Sequence, residues 1–166
     1  MYVTNNGSSN TVSVIDSSSN TVVKTISGFG DFPTGIAFNP TNNDMYVTNQ
    51  QQSVFVIDSS SNAVIATIFP VRDTPTGIAF NPANNDMYVT NSASGYVSII
   101  DSSTNTVIGT ISISPSSGPY GIAFNPDMYV VNRALGTVSV ISTSTVVQPP
   151  THTTITSAVD GNGAAV

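Results

Sequence analysis

Few residues in this chain could carry acid–base, nucleophilic or redox chemistry. It contains one histidine, His152, and no cysteine. His152 has no acidic or serine partner at a characteristic spacing, so we expect an ordinary solvated side chain. Haem ligation and a serine–histidine–aspartate triad need an imidazole, and thiol catalysis, disulfides and cysteine-based metal sites need a thiol. The sequence therefore offers no catalytic residue and no cofactor-binding residue.

Three aspartates recur at the start of the same short segment. Asp16, Asp58 and Asp101 each begin an Asp-Ser-Ser-Ser/Thr-Asn run. Its oxygens fall at alternate positions, as in a calcium-binding loop, but no bidentate glutamate follows. Asp and Asn side chains at such places commonly accept hydrogen bonds from nearby backbone N–H groups in Asx turns. The pattern favours a turn, with calcium binding as the alternative.

A second set of aspartates precedes the Met-Tyr segments, at Asp44, Asp86 and Asp127. A ring of carboxylates could bind cations or act in acid–base chemistry, but the repeated position favours a role in turns. We predict no metal site. Four tyrosines inside strands are interpreted as packing residues rather than a binding platform: Tyr2, Tyr46, Tyr88 and Tyr129.

These residues recur because one unit is copied along the chain. Met-Tyr-Val-Thr-Asn occurs at 1–5, 45–49 and 87–91, and Met-Tyr-Val-Val-Asn at 128–132. Successive tyrosines are 44, 42 and 41 residues apart. A period of roughly 40–45 residues built only from strand-like segments is typical of β-propeller blades. We predict an all-β propeller of about four four-stranded antiparallel blades.

The second unit shows the strands of a blade most completely. Its predicted strands cover 35–38, 45–49, 54–57 and 63–68, with Pro33 ending the loop that enters the first. These segments are apolar at consecutive positions, whereas a half-exposed sheet would alternate with polar residues. The pattern predicts that each small sheet is covered on both faces by neighbouring sheets.

The two ends depart from the pattern. The first unit starts directly at its second strand, and the fourth strand of the last unit is reduced to 144–147. We predict propeller repeats over 1–147, a proline linker at 148–150, and at 151–166 either a tail or the truncated start of a second β module. An open arc would expose apolar faces of ~500 Å² at each end, on the order of 10 kcal/mol of lost burial. We therefore expect self-association, or missing blades of the same protein in a longer chain.

Composition excludes some partners. The 166 residues include three basic residues and carry a net charge of −6, which offers no cationic surface for nucleic acid or anionic lipid. No apolar run is long enough to cross a membrane. No signal peptide precedes the first repeat, and we expect the chain to be cut from a longer one that carries its targeting information.

The repeats 45–49, 98–101 and 75–82 resemble the YVTN-family β-propeller repeat, over residues 1 to about 142. They are similar to repeats of archaeal surface-layer proteins. The resemblance implies a seven-bladed ring, an extracellular setting and a structural or recognition role. The wider superfamily includes lactonases and propellers of periplasmic redox enzymes.

The leading hypothesis is a non-catalytic cell-surface propeller segment with a structural role or an interaction with proteins or glycans. The alternative is part of a lactonase-like hydrolase or periplasmic redox enzyme whose active residues lie outside this chain. An intracellular scaffold is a third class. Asn6 begins an Asn-Gly-Ser glycosylation sequon in a predicted exposed loop.

Overall fold

The structure is a computed structural model that describes residues 1–7 and 9–142 and the backbone of a short strand, Ala158–Val159. The predicted linker at 148–150, the predicted strand at 144–147 and His152 lie outside the described residues. The domain boundaries drawn through that region therefore stay predictions.

The described residues form four antiparallel sheets and contain no helix. Blade 1 has three strands, β1 (Tyr2–Asn5), β2 (Thr11–Asp16) and β3 (Thr21–Ile26). Blade 2 consists of β4 (Pro33–Asn39), β5 (Asp44–Asn49), β6 (Ser53–Asp58) and β7 (Ala63–Ile68). Blade 3 consists of β8 (Pro75–Asn81), β9 (Asp86–Asn91), β10 (Tyr96–Asp101) and β11 (Thr106–Ser112). The predicted all-β architecture is confirmed, as is the absence of a first strand from the first described sheet.

Blade 4 takes its outer strand from far along the sequence. Its strands are β12 (Pro119–Phe124), β13 (Met128–Asn132), β14 (Thr137–Ile141) and β15 (Ala158–Val159). Val140 pairs with Val159 and Ile141 with Ala158, in antiparallel register. The backbone of Ala158–Val159 thus holds the position that β3, β7 and β11 hold in the other blades.

Three apolar cores lie between the four blades. The core between blades 2 and 3 combines Tyr46, Val54 and Val56 with Met87 and Val89, all of them fully buried. Equivalent residues form the core between blades 1 and 2 and the core between blades 3 and 4. Strands β5 and β9 are buried along nearly their whole length. Coverage on both faces is therefore confirmed for these central strands.

Coverage of both faces does not extend to the outer strands, where that prediction is wrong. Val23, Ile65 and Ile108 are 60%, 54% and 56% exposed although their sequence is as apolar as that of the central strands. The inner strands β4, β8 and β12 approach one another closely. Because the blades diverge from this centre, the outer strands lie too far apart to cover each other.

The inner strands also begin earlier than predicted. Pro33 is the first residue of β4 and faces Asn49 of β5, and the register shifts between Pro33 and Ile36. Proline is tolerated as the first residue of a strand, since its missing N–H interrupts no established ladder there. The predicted loop residue is thus part of the sheet.

Successive connections alternate between two faces of the molecule. We call the face with the β2–β3, β4–β5 and β6–β7 turns and their equivalents the Asx-turn face. The opposite face, with connections 6–10, 27–32, 50–52, 69–74, 92–95, 113–118 and 133–136, is the loop face. Backbone hydrogen bonds tie neighbouring loops together there, as in Gln50 N–H to the Phe32 carbonyl (3.2 Å) and Ser92 N–H to the Thr74 carbonyl (3.0 Å).

Candidate functional site

The Asp16, Asp58 and Asp101 segments form Asx turns. Asp58 Oδ1 accepts hydrogen bonds from the backbone N–H and hydroxyl of Ser60, at 2.8 and 2.7 Å, and Oδ2 accepts one from the Ser61 hydroxyl at 2.7 Å. Asp16 and Asp101 cap Ser18 and Ser103 in the same way. These bonds lower the pKa of Asp58 to about 2. The turn interpretation is confirmed, and within the described residues no group of three or more His, Cys, Asp or Glu side chains could hold a metal ion.

In blades 2 and 3 the aspartates before the Met-Tyr segments lie opposite these turn aspartates. Asp44 pairs with Asp58 and Asp86 with Asp101. Burial, with a smaller contribution from the Asp101 charge, raises the pKa of Asp86 to about 6. Burial and the Asp58 charge raise the pKa of Asp44 in the same direction. Each pair therefore combines one carboxylate that ionises easily with one that resists ionisation.

The tyrosines and threonines of the repeat face the following blade. Tyr46 is fully buried, and its hydroxyl donates to Asn105 Oδ1 of blade 3 at 2.9 Å. The Thr48 hydroxyl donates to the Thr76 carbonyl at 2.7 Å, as the Thr90 hydroxyl does to the Tyr120 carbonyl. The packing role predicted for the tyrosines is confirmed at the covered interfaces, and the threonines are inter-blade donors that sequence inspection did not identify.

Two glycines permit the close approach of the inner strands. A Cβ atom on Gly35 would lie 2.3 Å from the Thr76 carbonyl oxygen, and one on Gly77 would lie 2.3 Å from the Tyr120 carbonyl oxygen. Real Cβ atoms do not approach backbone oxygens so closely, so only glycine fits. These positions set the spacing of the blades and hence that of the loops above them.

A groove on the loop face lies between blades 2 and 3. It is a wide depression, open to solvent, with a volume of about 670 Å³. Its lining, here named the glutamine groove, is Gln50, Gln51, Gln52, Phe69, Asp73, Thr74 and Ala93. Phe69 is 68% exposed, a large aromatic surface left in water.

Polar groups of the groove are partly ordered and partly available. The Gln52 amide donates to Asp73 Oδ1 at 2.7 Å, which fixes both side chains. The Ser92 N–H and hydroxyl both bond the Thr74 carbonyl, which fixes the opposite wall. Asp73 is the charged residue among those that line the groove. Arg72, on the same loop, does not line it, and its guanidinium carbon lies 4.2 Å from the centroid of the Tyr96 ring.

Neither Gln50–Gln52 nor Phe69 was singled out from the sequence as a candidate binding residue. The sequence signal that could have identified them is a difference between equivalent loops of neighbouring blades. The loops 27–32 and 69–74 have equal length and each buries one apolar residue, Phe29 or Val71, yet Ser27 stands where Phe69 stands. Likewise Ser92 occupies the place of Gln50 in the next blade. Exposed residues that differ between equivalent loops are candidates for binding.

A smaller hollow, with a volume of about 350 Å³, lies along the inner strands. Its lining combines the Gly35, Gly77 and Gly121 backbone with Thr34, Thr76, Tyr120 and Asn6. Asn6 is exposed at its mouth. Its modification stays a prediction, since Ser8 of the sequon lies outside the described residues.

Comparison with solved structures agrees with this arrangement. The chain is similar to the hydrazine synthase of Kuenenia stuttgartiensis (TM-score 0.73, 23% identity, 84% of this chain and 41% of that chain covered). It is also similar to U3-55K and to the WD40 repeats of RRP9, each with TM-score 0.72, 14% identity, and coverage of 84% of this chain and 44% of the other. The fold is that of β-propeller blades.

The propeller segment spans less than half the length of these structures, and identities of this size show the fold alone. No family model and no curated protein matches the sequence. No helix that could span a membrane occurs among the described residues. The propeller geometry therefore supplies two kinds of surface for function: the loop face, and the faces of the first and last blades.

Proposed function

We propose that the chain is a non-catalytic β-propeller segment of a protein on the cell exterior, with a structural or recognition role. One observation carries the proposal: the aspartates and threonines that recur in blades 1–3 are engaged within the fold. The repeated aspartates cap turns, and Thr48 and Thr90 hold the next blade. Residues free to contact a partner lie in the unrepeated loops and on the end blades.

The exterior setting is supported by the resemblance of the repeats to those of archaeal surface-layer proteins. Protease treatment of intact cells that make the full-length protein tests it. We expect the propeller to be cleaved while a cytoplasmic marker survives. Protection of the propeller until the cells are lysed would contradict the exterior setting.

The structural role is supported by complementary faces at the two ends of the arc. On each blade, Met and Val of the repeat face the preceding blade while Tyr and Thr face the following one. Met45 and Val47 are 7% and 0% exposed, whereas Met1 and Val3 of blade 1 are 66% and 38% exposed. At the other end, Tyr129 and Val131 are 39% and 49% exposed. The Met-Val face is thus exposed on blade 1, and the opposite face, with Tyr129 and Val131, is exposed on blade 4. Two different exposed faces of this kind are what a head-to-tail interface requires.

We therefore expect the exposed face of blade 4 to bind a Met-Val face like that of blade 1. That face would be supplied by a second copy or by further blades. Light scattering of the purified chain should show concentration-dependent association. Val131→Asp should weaken association about tenfold or more, because a carboxylate would be desolvated in the interface. Val23→Asp, on an exposed outer strand, is the matched control and should leave association unchanged. A monomer at every concentration that melts cooperatively would contradict this expectation.

A further inference from the structure

We propose that the glutamine groove binds a neutral saccharide. The inference deepens the recognition role proposed above and rests on it. It assigns a ligand class to one place on the loop face, between blades 2 and 3.

Phe69 supplies the first element of such a site. Its ring is 68% exposed at the edge of the groove, so most of its apolar surface meets water in the free protein. The C–H groups of a pyranose ring carry slight positive charge, and an aromatic face carries slight negative charge. A sugar ring lying on Phe69 would cover apolar surface on both partners without losing its hydroxyl contacts to water at the rim.

The glutamines and Asp73 supply the second element. A sugar hydroxyl both donates and accepts, and a primary amide offers two donors and a carbonyl acceptor. The Gln52–Asp73 hydrogen bond of 2.7 Å uses one amide proton and one carboxylate oxygen, and leaves the Gln52 carbonyl and Asp73 Oδ2 for a ligand. The Gln50 backbone is fixed by its bond to the Phe32 carbonyl, which places its side chain at the groove.

Charge decides against anionic ligands. Asp73 is the charged residue of the lining, and Arg72 is directed to the Tyr96 ring. An anionic sugar would be repelled by Asp73 and would meet no cation in the groove. The chemistry of the lining matches hydroxyls and amides on an uncharged ring.

The equivalent loops of the neighbouring blades suggest which substitutions to test. Ser27 occupies the position of Phe69, and Ser92 that of Gln50, in connections of the same propeller. Phe69→Ser and Gln50→Ser therefore remove the proposed contacts while placing in the groove a residue that its structural equivalents carry. Ile108→Ser is the matched control, because it removes a comparably exposed apolar side chain, 56% exposed, on the outer rim.

Titration of the full chain with maltotriose, cellotriose and the N-acetylglucosamine trimer, followed by amide NMR shifts, tests the proposal. We expect at least one trisaccharide to shift signals of the groove with a Kd on the order of 1 mM. Phe69→Ser should weaken that binding about tenfold and Gln50→Ser about threefold, with Ile108→Ser within about twofold of the parent. Circular dichroism verifies that each variant is folded.

Three results would overturn the proposal: no groove shift with any trisaccharide up to about 20 mM, undiminished binding by both folded groove variants, or an equal loss in Ile108→Ser. A peptide fragment that shifts the groove while the sugars do not would assign it to protein partners and also reject the saccharide. Association through Val131, measured separately, is independent of these outcomes. Failure here is thereby distinguished from failure of the structural role.

Discussion

The interface between blades 2 and 3 and the uncovered face of blade 4 place nearly the same pentapeptide in two environments. Tyr46 and Thr48 are fully buried against blade 3, whereas their equivalents Tyr129 and Val131 are 39% and 49% exposed. The change from threonine to valine occurs at the one described blade with no inner strand beside that position to accept a hydroxyl bond. The comparison separates two roles of the pentapeptide: forming a strand within its own blade, and packing against the next blade.

The inner strands differ in the same way. Gly35 and Gly77 lie against the backbone of the next inner strand, while a Cβ on Gly121 would meet nothing nearer than Val131 Cγ2 at 3.8 Å. Gly35 and Gly77 are therefore required by a neighbouring strand, whereas the space beside Gly121 would admit a larger residue. Matched substitutions at the two places measure how much the neighbour contributes.

The largest effect is expected at the covered glycine. Gly77→Ala should destabilise the fold by about 3 kcal/mol or more, since the new methyl group would overlap the Tyr120 carbonyl and force blades 3 and 4 apart. Urea unfolding measures the loss. Gly121→Ala is the control, with a change within about 0.5 kcal/mol because space is available and alanine restricts the unfolded chain. Equal effects at the two positions would show that blade spacing does not depend on Gly77.

A smaller effect is expected at the inter-blade hydroxyl. Thr48→Val should cost about 2 kcal/mol, because it leaves the Thr76 carbonyl and the Gly35 N–H, each 2.7 Å from the hydroxyl, without this partner in a buried place. The reverse change at the open face, Val131→Thr, should alter the free energy of unfolding by less than about 0.5 kcal/mol. Thermal unfolding of both variants measures these changes. If Thr48→Val left the stability unchanged, apolar packing alone would hold the blades together.

The smallest effect concerns the paired aspartates of the Asx-turn face. The pKa of Asp86 in the fold is about 6, above its unfolded value of about 3.9, so the native state binds this proton more tightly. Stability should therefore rise as pH falls from 7 toward about 4. Below that range it should fall, because Asp58, whose pKa is lowered to about 2, loses its capping charge. Asp86→Asn should stabilise the protein at pH 7 by about 1 kcal/mol after allowance for solvent screening.

Melting temperature against pH, for the parent and Asp86→Asn, measures this effect. The variant should show a shallower rise between pH 7 and 4, with some slope left from Asp44, whose pKa is also raised. Asp58→Asn is the opposite control and should lower stability at pH 7, since an amide oxygen accepts the serine bonds less strongly than a carboxylate. A parent protein whose melting temperature falls steadily from pH 7 downward would rule out the assigned role of Asp86.

Much of the fold followed from the sequence because its signals are local. β-branched runs predicted the central strands to within one or two residues, and the Asp-Ser-Ser segments predicted their turns. The start of β4 at Pro33 was missed, since pairing with Asn49 depends on a residue 16 positions away. The exposure of Ile65 was missed as well, because an apolar strand has the same sequence pattern whether or not a neighbouring blade covers it.

The sequence by itself determined the repeat, its all-β character and the direction of each unit's two faces, since alternation along a strand fixes which side chains point together. Only the tertiary structure decided which of those faces are covered, because burial depends on a neighbouring blade that no local pattern contains. The close approach at Gly77 and the placement of Gln50 and Phe69 in one groove arise in the same way. Both depend on the spacing between blades, a quantity that exists only once the blades have packed.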